Sequence, residues 1–246
     1  MARVWGLVAE QAAVRGGRVS AADVCAAVVP GVQVTGAWLS AALDAQAGHL
    51  MQVTDEVSRQ LAELQLTLGE GPLFDASASG GPVLASDLAD GESGARWPAF
   101  APAASQSGAA AVFAFPLVVG AIRAGVLGLY RDRPGSLSDF QLGDALTFAD
   151  TATILLLDAQ DGAVGATGPR DGPGGQPAGL AFYRAEIDQA TGMLTEQLGV
   201  NITDAFVRLR AYAYVNDLRL ADVARDIVAR RLRLLPDPDL SLGDEA

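Results

Sequence analysis

IDQATGMLTEQLGVNITDAFVRLRAYAYVNDLRLADVARDIV, residues 187–228, is the stretch whose reading decides the fold of the C-terminal part of this 246-residue chain. Apolar residues recur through it at the three-and-four spacing of a helix, and Gly199 and the Asn216-Asp217 pair break the pattern into three. The first predicted helix starts upstream at Leu180 and runs to Leu198; Leu180, Tyr183, Ile187, Ala190 and Leu194 step by 3, 4, 3 and 4 along it. That is a heptad-like seam, suited to pairing with a second helix, and it predicts a homodimer. The second helix follows Asn201 as N-cap and puts Ile202, Phe206, Leu209 and Ala213 on one face. The third, Arg219–Leu232, faces Leu220, Val223, Ala224 and Ile227 inward. Three short amphipathic helices with brief turns make a small all-α bundle over 180–235.

Immediately before the bundle lies GAVGATGPRDGPGGQPAG, residues 162–179, with seven glycines and three prolines. That density predicts a flexible linker. After the bundle, 236–246 carries four acids and no base, and reads as a disordered acidic tail. The remaining 161 residues have the length of a separate domain.

Residues 1–161 mix periods. Met1–Arg15 and Ser20–Val29 read as helices, the second with Ser20 as N-cap. Gly31–Leu43 and His49–Asp55 read as strands, Glu56–Gly69 as a helix stopped by its glycine, and Pro82–Leu88 as a short strand. Ala110–Val119 and Arg123–Asp132 form a predicted hairpin, and Leu137–Gln160 a long closing helix capped by Ser138. Paired strands with helices at both ends give an antiparallel α+β domain rather than a series of β-α-β units.

Three segments sharpen that reading: LGEGPLFDASASGGPVLASDL (Leu68–Leu88), RWPAFAPAASQSGAAAVFAFPL (Arg96–Leu117) and GVLGLYRDRPGSLSDFQLGDALTFADTA (Gly125–Ala152). Over Val19–Asp158 the chain resembles the GAF domain, a small-molecule sensor fold, and the segments are similar to those of actinobacterial regulators. In the tail, Ala190, Gly192, Ala205-Phe206, Leu209-Arg210, Ala213, Leu220 and Asp222-Val223-Ala224 resemble the pattern of the ANTAR domain, an RNA-binding antitermination module. The family's usual lysine is Thr191 here, which removes a cation where RNA would be held. The resemblance implies binding of stem-loops in nascent transcripts, so that a terminator hairpin does not form.

The charge distribution sets limits on that function. The net charge of −12 opposes attraction of the whole protein to nucleic acid. Met1–Gly175 holds 9 arginines against 18 acids, but Gln176–Leu235 holds 8 against 7. All 17 basic residues are arginine. Seven of them, Arg208, Arg210, Arg219, Arg225, Arg230, Arg231 and Arg233, fall within 26 residues. A guanidinium fork grips phosphate with two hydrogen bonds and stacks on unpaired bases. The plainer alternative is a solvated face with helical ion pairs, such as Asp204 with Arg208 and Asp226 with Arg230, and with arginines favoured at a helix C-terminus. The ANTAR resemblance tilts Arg208 and Arg225 toward RNA, and Arg210, Thr191 and Gly192 join them as candidate contacts. Glycine inside a helix costs about 1 kcal/mol against alanine. Close helix packing is the preferred compensation at Gly192, and close approach of RNA the sharper one. Tyr212 and Tyr214, two apart, point to different sides of their helix: one into the core, the other exposed or stacked on a base.

Other chemistries find little support. A single cysteine, Cys25, excludes an internal disulfide framework and a cysteine-cluster metal site, and argues against sulfoxide reduction, which needs a reactive thiol and usually a second to resolve it. His49 is the sole histidine, so a Ser-His-Asp set or metal cluster has no basis, and LGEGP lacks the Gly-Lys-Ser/Thr end of a phosphate loop. Trp38, Trp97, Phe113 and Phe115 read as core rather than pocket lining. No apolar run spans a membrane and no signal peptide is visible, which predicts a cytoplasmic protein. The expectation is a non-enzymatic, signal-responsive RNA-binding regulator needing no cofactor or metal, with an unidentified small-molecule or protein signal at the sensor domain. A helix-turn-helix DNA-binding regulator and a protein-interaction module are the rival readings.

Overall fold

The structure is a computed structural model that describes residues 1–41, 50–164, 178–216 and 218–235. It divides into two compact units, Met1–Ala181 and Phe182–Ala246. The first opens with α1 (Ala2–Arg15) and α2 (Ala21–Val32), then β1 (Gly36–Ala41) and β2 (Leu50–Val53). Next come α3 (Glu56–Leu68), α4 (Pro72–Ser79), β3 (Val83–Ala85), α5 (Gly91–Arg96) and α6 (Phe100–Gln106). The unit closes with β4 (Ala111–Val119), β5 (Ile122–Arg131) and α7 (Asp139–Val164). The strands form one antiparallel sheet in the order β2-β1-β5-β4-β3, which is the α+β architecture predicted.

Both faces of this sheet are covered, and the period-two alternation of its strands sorts side chains between two cores. Leu39, Phe113, Phe115, Leu127 and Leu129 pack against α1, α2 and α7, where Val8, Val28 and Phe148 meet them. Trp38, Val112, Val126 and Tyr130 point the other way, into a layer roofed by Leu61, Leu73 and Phe100 of the α3–α6 side. Trp38, Trp97, Phe113 and Phe115 are all buried core residues, as their composition suggested. Trp38 stands opposite Gly128 in the ladder, and a Cβ there would lie 2.1 Å from its indole, so glycine is what lets the ring lie flat on the sheet.

Several boundaries differ from the pattern-based reading. α2 runs on through Pro30 and Gly31 to Val32, so β1 starts only at Gly36. Pro30 sits in the last turn and forgoes one i→i−4 hydrogen bond there, and Gly31 lets the Phe148 ring lie against the helix backbone, 2.8 Å from where a Cβ would be. The cap of α2 is a capping box between Ser20 and Asp23. Arg15 from the end of α1 donates to both Asp23 oxygens, at 3.0 and 2.7 Å, and fixes the α1–α2 corner. Three helices went unpredicted: α4, α5 and α6. They are short, and the starts of α4 and α6 are held by groups outside any local period. Glu70 Oε1 accepts the backbone N–H of both Ala99 and Phe100 at the start of α6, each at 2.7 Å. Gln65 Oε1 accepts that of Leu73 in α4 at 2.8 Å. The predicted linker is trimmed at both ends: Gly162–Val164 continue α7, since one helical glycine costs only about 1 kcal/mol, and Ala178–Gly179 open the next helix. Its remainder, the acidic tail and His49 lie outside the described residues.

Candidate nucleic-acid interface

The second unit is built from α8 (Ala178–Leu198), α9 (Ile202–Val215) and α10 (Leu220–Val228). Gly199, at φ 65°, lets the chain leave α8, and its N–H bonds to Thr195 O at 3.0 Å. The Asn201 side chain then accepts the Asp204 N–H at 2.9 Å, the predicted cap of α9. Leu220, Val223, Ala224 and Ile227 are buried on α10, as their spacing required. Past α10, Arg230 takes a left-handed φ of 58°, and the chain turns back so that Leu234 is buried and its carbonyl accepts from Gln197 of α8.

One core serves all three helices, and α8 contributes Ile187, Ala190 and Leu194 to it, beside Ala205, Leu209 and Ala213 of α9. Three of the five residues of the expected dimer seam thus have a partner surface within the chain. Those three residues are 6%, 0% and 0% exposed within a single chain, so they are already covered by α9 and α10. The periodicity was sound evidence for an apolar face and silent on what buries it. The side chains of Leu180 and Tyr183, the other seam positions, lie outside the described residues.

Thr191 and Gly192 separate in the structure. Thr191 lies on the covered face of α8, 4% exposed, its hydroxyl donating to the Ile187 carbonyl at 2.7 Å. A lysine-like reach to a ligand from this position would have to thread out of the core. Gly192 faces outward, half-buried, and a Cβ built there would meet nothing within 4 Å. Close helix packing, the preferred reading of this glycine, therefore has no counterpart within the unit. Its helix-weakening cost is uncompensated there, and the bare backbone of α8 is open to approach.

The arginines are distributed rather than gathered. Arg208 and Arg210 lie on α9, separated by roughly 200° around the helix axis. Arg210 is partly buried, its guanidinium 5.7 Å from the Phe206 ring centroid, and burial pulls its pKa down without approaching neutrality. Arg225, on α10, forms ion pairs with Asp222 at 2.9 Å and Glu186 of α8 at 3.3 Å. The Glu186 bond is the largest of the contacts that raise its pKa. Arg225 thus ties α10 to α8, and a phosphate reaching it would compete with two carboxylates. Asp226 pairs with Arg231 at 2.5 Å, where the sequence spacing had suggested Arg230. Tyr212 is the core tyrosine, packed against the bundle, and Tyr214 the exposed one, at 58%. A feature the sequence reading missed adjoins it: Val207, Ala211, Val215 and Leu218 are exposed too. The 207-211-214-218 spacing was visible but read only for the opposite face.

The profile of the ANTAR domain family matches residues 183–228, from the first turns of α8 to the last residue of α10. This segment is an ANTAR domain. The first unit has the GAF fold: it is similar to the GAF domain of a phosphoenolpyruvate-protein phosphotransferase from Coxiella burnetii, with a TM-score of 0.51 at 14% identity, covering 65% of this chain and 96% of that one. Further similar structures are the GAF domain of the Acinetobacter phosphoenolpyruvate-protein phosphotransferase (TM-score 0.48, 14% identity, 66% and 98% covered) and the second GAF domain of DevS from Mycobacterium smegmatis (0.43, 19%, 58% and 94%). A comparison with curated proteins returned no match. Among the described residues of the GAF and ANTAR units, no helix is long and apolar enough to cross a membrane, and no group of His, Cys, Asp and Glu could hold a metal ion.

Proposed function

We propose that this protein is a signal-responsive RNA-binding regulator acting in the cytoplasm: its ANTAR domain binds stem-loops in nascent transcripts and keeps a terminator hairpin from forming, under control of the GAF-fold unit. The observation that carries this reading is the ANTAR match over 183–228, coincident with an intact three-helix core. The contacts proposed for RNA are the open backbone at Gly192 on α8 and the guanidinium groups of Arg208 and Arg210 on α9, with Arg225 contributing once its carboxylate partners are displaced. Thr191 drops out of the contact set because its side chain is buried.

The GAF-fold unit is proposed as the receiver of a small-molecule or protein signal. Trp38 Nε1 and Ser40 Oγ, two residues apart on β1, are buried on the α3–α6 side of the sheet without a hydrogen-bond partner. Buried polar atoms are normally paired, so these two are where an incoming polar group would be felt most. A catalytic role for Cys25 has no support: burial pushes its thiol up to about 12, far from the reactive thiolate. Crosslinking the protein to cellular RNA and sequencing what is bound tests the proposal. Enrichment of stem-loops upstream of terminators is expected, and recovery of no RNA above background would end the reading.

A further inference from the structure

The bundle leaves one helix apolar on two sides. α9 gives Ala205, Leu209 and Ala213 to the core. On its opposite face Val207 is 52% exposed, Tyr214 58% and Val215 79%, with Ala211 exposed between them and Leu218, 46% exposed, just past the helix end. At roughly 100° per residue, Val207, Ala211, Tyr214 and Val215 fall within an arc of roughly 100°. Arg210 and Arg208 border that arc, one on each side. A surface helix normally presents a polar outward face, so an apolar arc edged by guanidinium groups marks a surface with a partner.

We infer that this face of α9 binds unpaired nucleobases, with Tyr214 as the stacking platform; the inference rests on the RNA reading above and adds how the loop of the RNA is held. A base offers a flat apolar face and carries its charge on the adjoining phosphate. An aromatic ring set among aliphatic side chains with arginines at the margins matches both parts of that chemistry. Size separates a base from a protein partner. A stable protein interface takes about 800 Å² and 20 or more residues from each side, whereas five side chains on one helix suffice for one or two splayed bases. One acid shares this face: Asp204 falls within the same arc a turn before Val207, at the start of α9, where its carboxylate accepts from the Asn201 amide at 2.8 Å, so the platform is the part of the face from Val207 onward. The arginines need not be unengaged for this role, because the platform is the ring and the aliphatic stripe.

The test uses the full chain and two fluorescent probes: a hairpin RNA pool with a randomised single-stranded loop, and the same stem as a blunt duplex. Tyr214→Ala is expected to weaken hairpin binding about tenfold or more while leaving the salt dependence unchanged, because stacking displaces no counterions. Tyr214→Phe should bind like the parent, since the ring and not the hydroxyl carries the contact. The blunt duplex should not distinguish the three proteins, and their thermal melts should coincide because the side chain is exposed. Tyr214→Ala binding the hairpin as the parent does would overturn this inference and leave the RNA reading standing. A drop in sedimentation mass on Tyr214→Ala would also overturn it, assigning the face to a protein contact. Failure of the parent to bind the hairpin pool would remove the RNA reading itself.

Discussion

Thr191 and Gly192 are neighbours in sequence and opposites in environment: one is 4% exposed with its hydroxyl satisfied by Ile187, the other faces open space. Gly192→Ala therefore gives an unusually clean separation of stability from function. The added methyl meets no atom and relieves a helical glycine, so the variant is expected to melt higher, by about 0.5–1 kcal/mol of stability. If RNA approaches the α8 backbone here, the same methyl should weaken hairpin binding. Higher stability with unchanged affinity would remove Gly192 from the contact set, and a lower melting temperature would mean that the glycine fits something within the fold after all. The sequence could pose this question, because Gly192 was conspicuous in a helix, but the answer depends on which way the residue faces, and that is set by α9 and α10. Tyr212 and Tyr214 show the reverse case: their spacing already required one in and one out, and only the assignment was left to the structure.

At the scale of elements, α10 was legible almost residue by residue, because Leu220, Val223, Ala224 and Ile227 leave a single apolar face with one thing to do. α8 was legible only in part, because its apolar spacing fits a bundle core and a coiled-coil seam equally well, and periodicity carries no information about the partner. The consequence is a changed expectation for Ile187→Asp. A carboxylate placed among Leu209, Ala224 and Ile227 should unfold the ANTAR unit, at a cost of about 4 kcal/mol or more, instead of releasing intact monomers. Circular dichroism with sedimentation distinguishes the two, and a fully helical monomer would restore the seam. Helix α6 was illegible for a different reason: Glu70 caps it across 29 and 30 residues, a relation no local window contains. At the α1–α2 corner, burial raises the pKa of Asp23, but hydrogen bonds from Arg15 and Ser20 outweigh it and hold the carboxyl below its usual value. The corner's stabilisation is thus complete above the unfolded carboxylate value of about 4 and is lost as pH falls through the lower folded one. The exchange protection of α1, taken relative to the intrinsic amide rate at each pH, should fall on acidification below pH 4 or so, and Asp23→Asn should flatten that response; an unchanged acid response in the variant would assign it elsewhere.

For the whole molecule, composition had already divided the chain, with 18 acids against 9 arginines through Gly175 and 7 acids against 8 arginines over Gln176–Leu235. The Gly/Pro-rich sequence between α7 and α8 is where limited proteolysis is expected to cut first, releasing an intact GAF-fold fragment; first cleavage inside that unit would contradict the division. The near-neutral balance of the ANTAR unit means that net charge alone cannot hold RNA against the −12 of the chain, so affinity must come from local arginine contacts and stacking on the α8 and α9 surfaces. The most direct test is a titration of the full chain against hairpin RNA and a duplex DNA of matched sequence, repeated across salt concentrations. Preferential hairpin binding that weakens as salt rises is the expected result. Tighter binding to the DNA, or no affinity for either, would contradict the account.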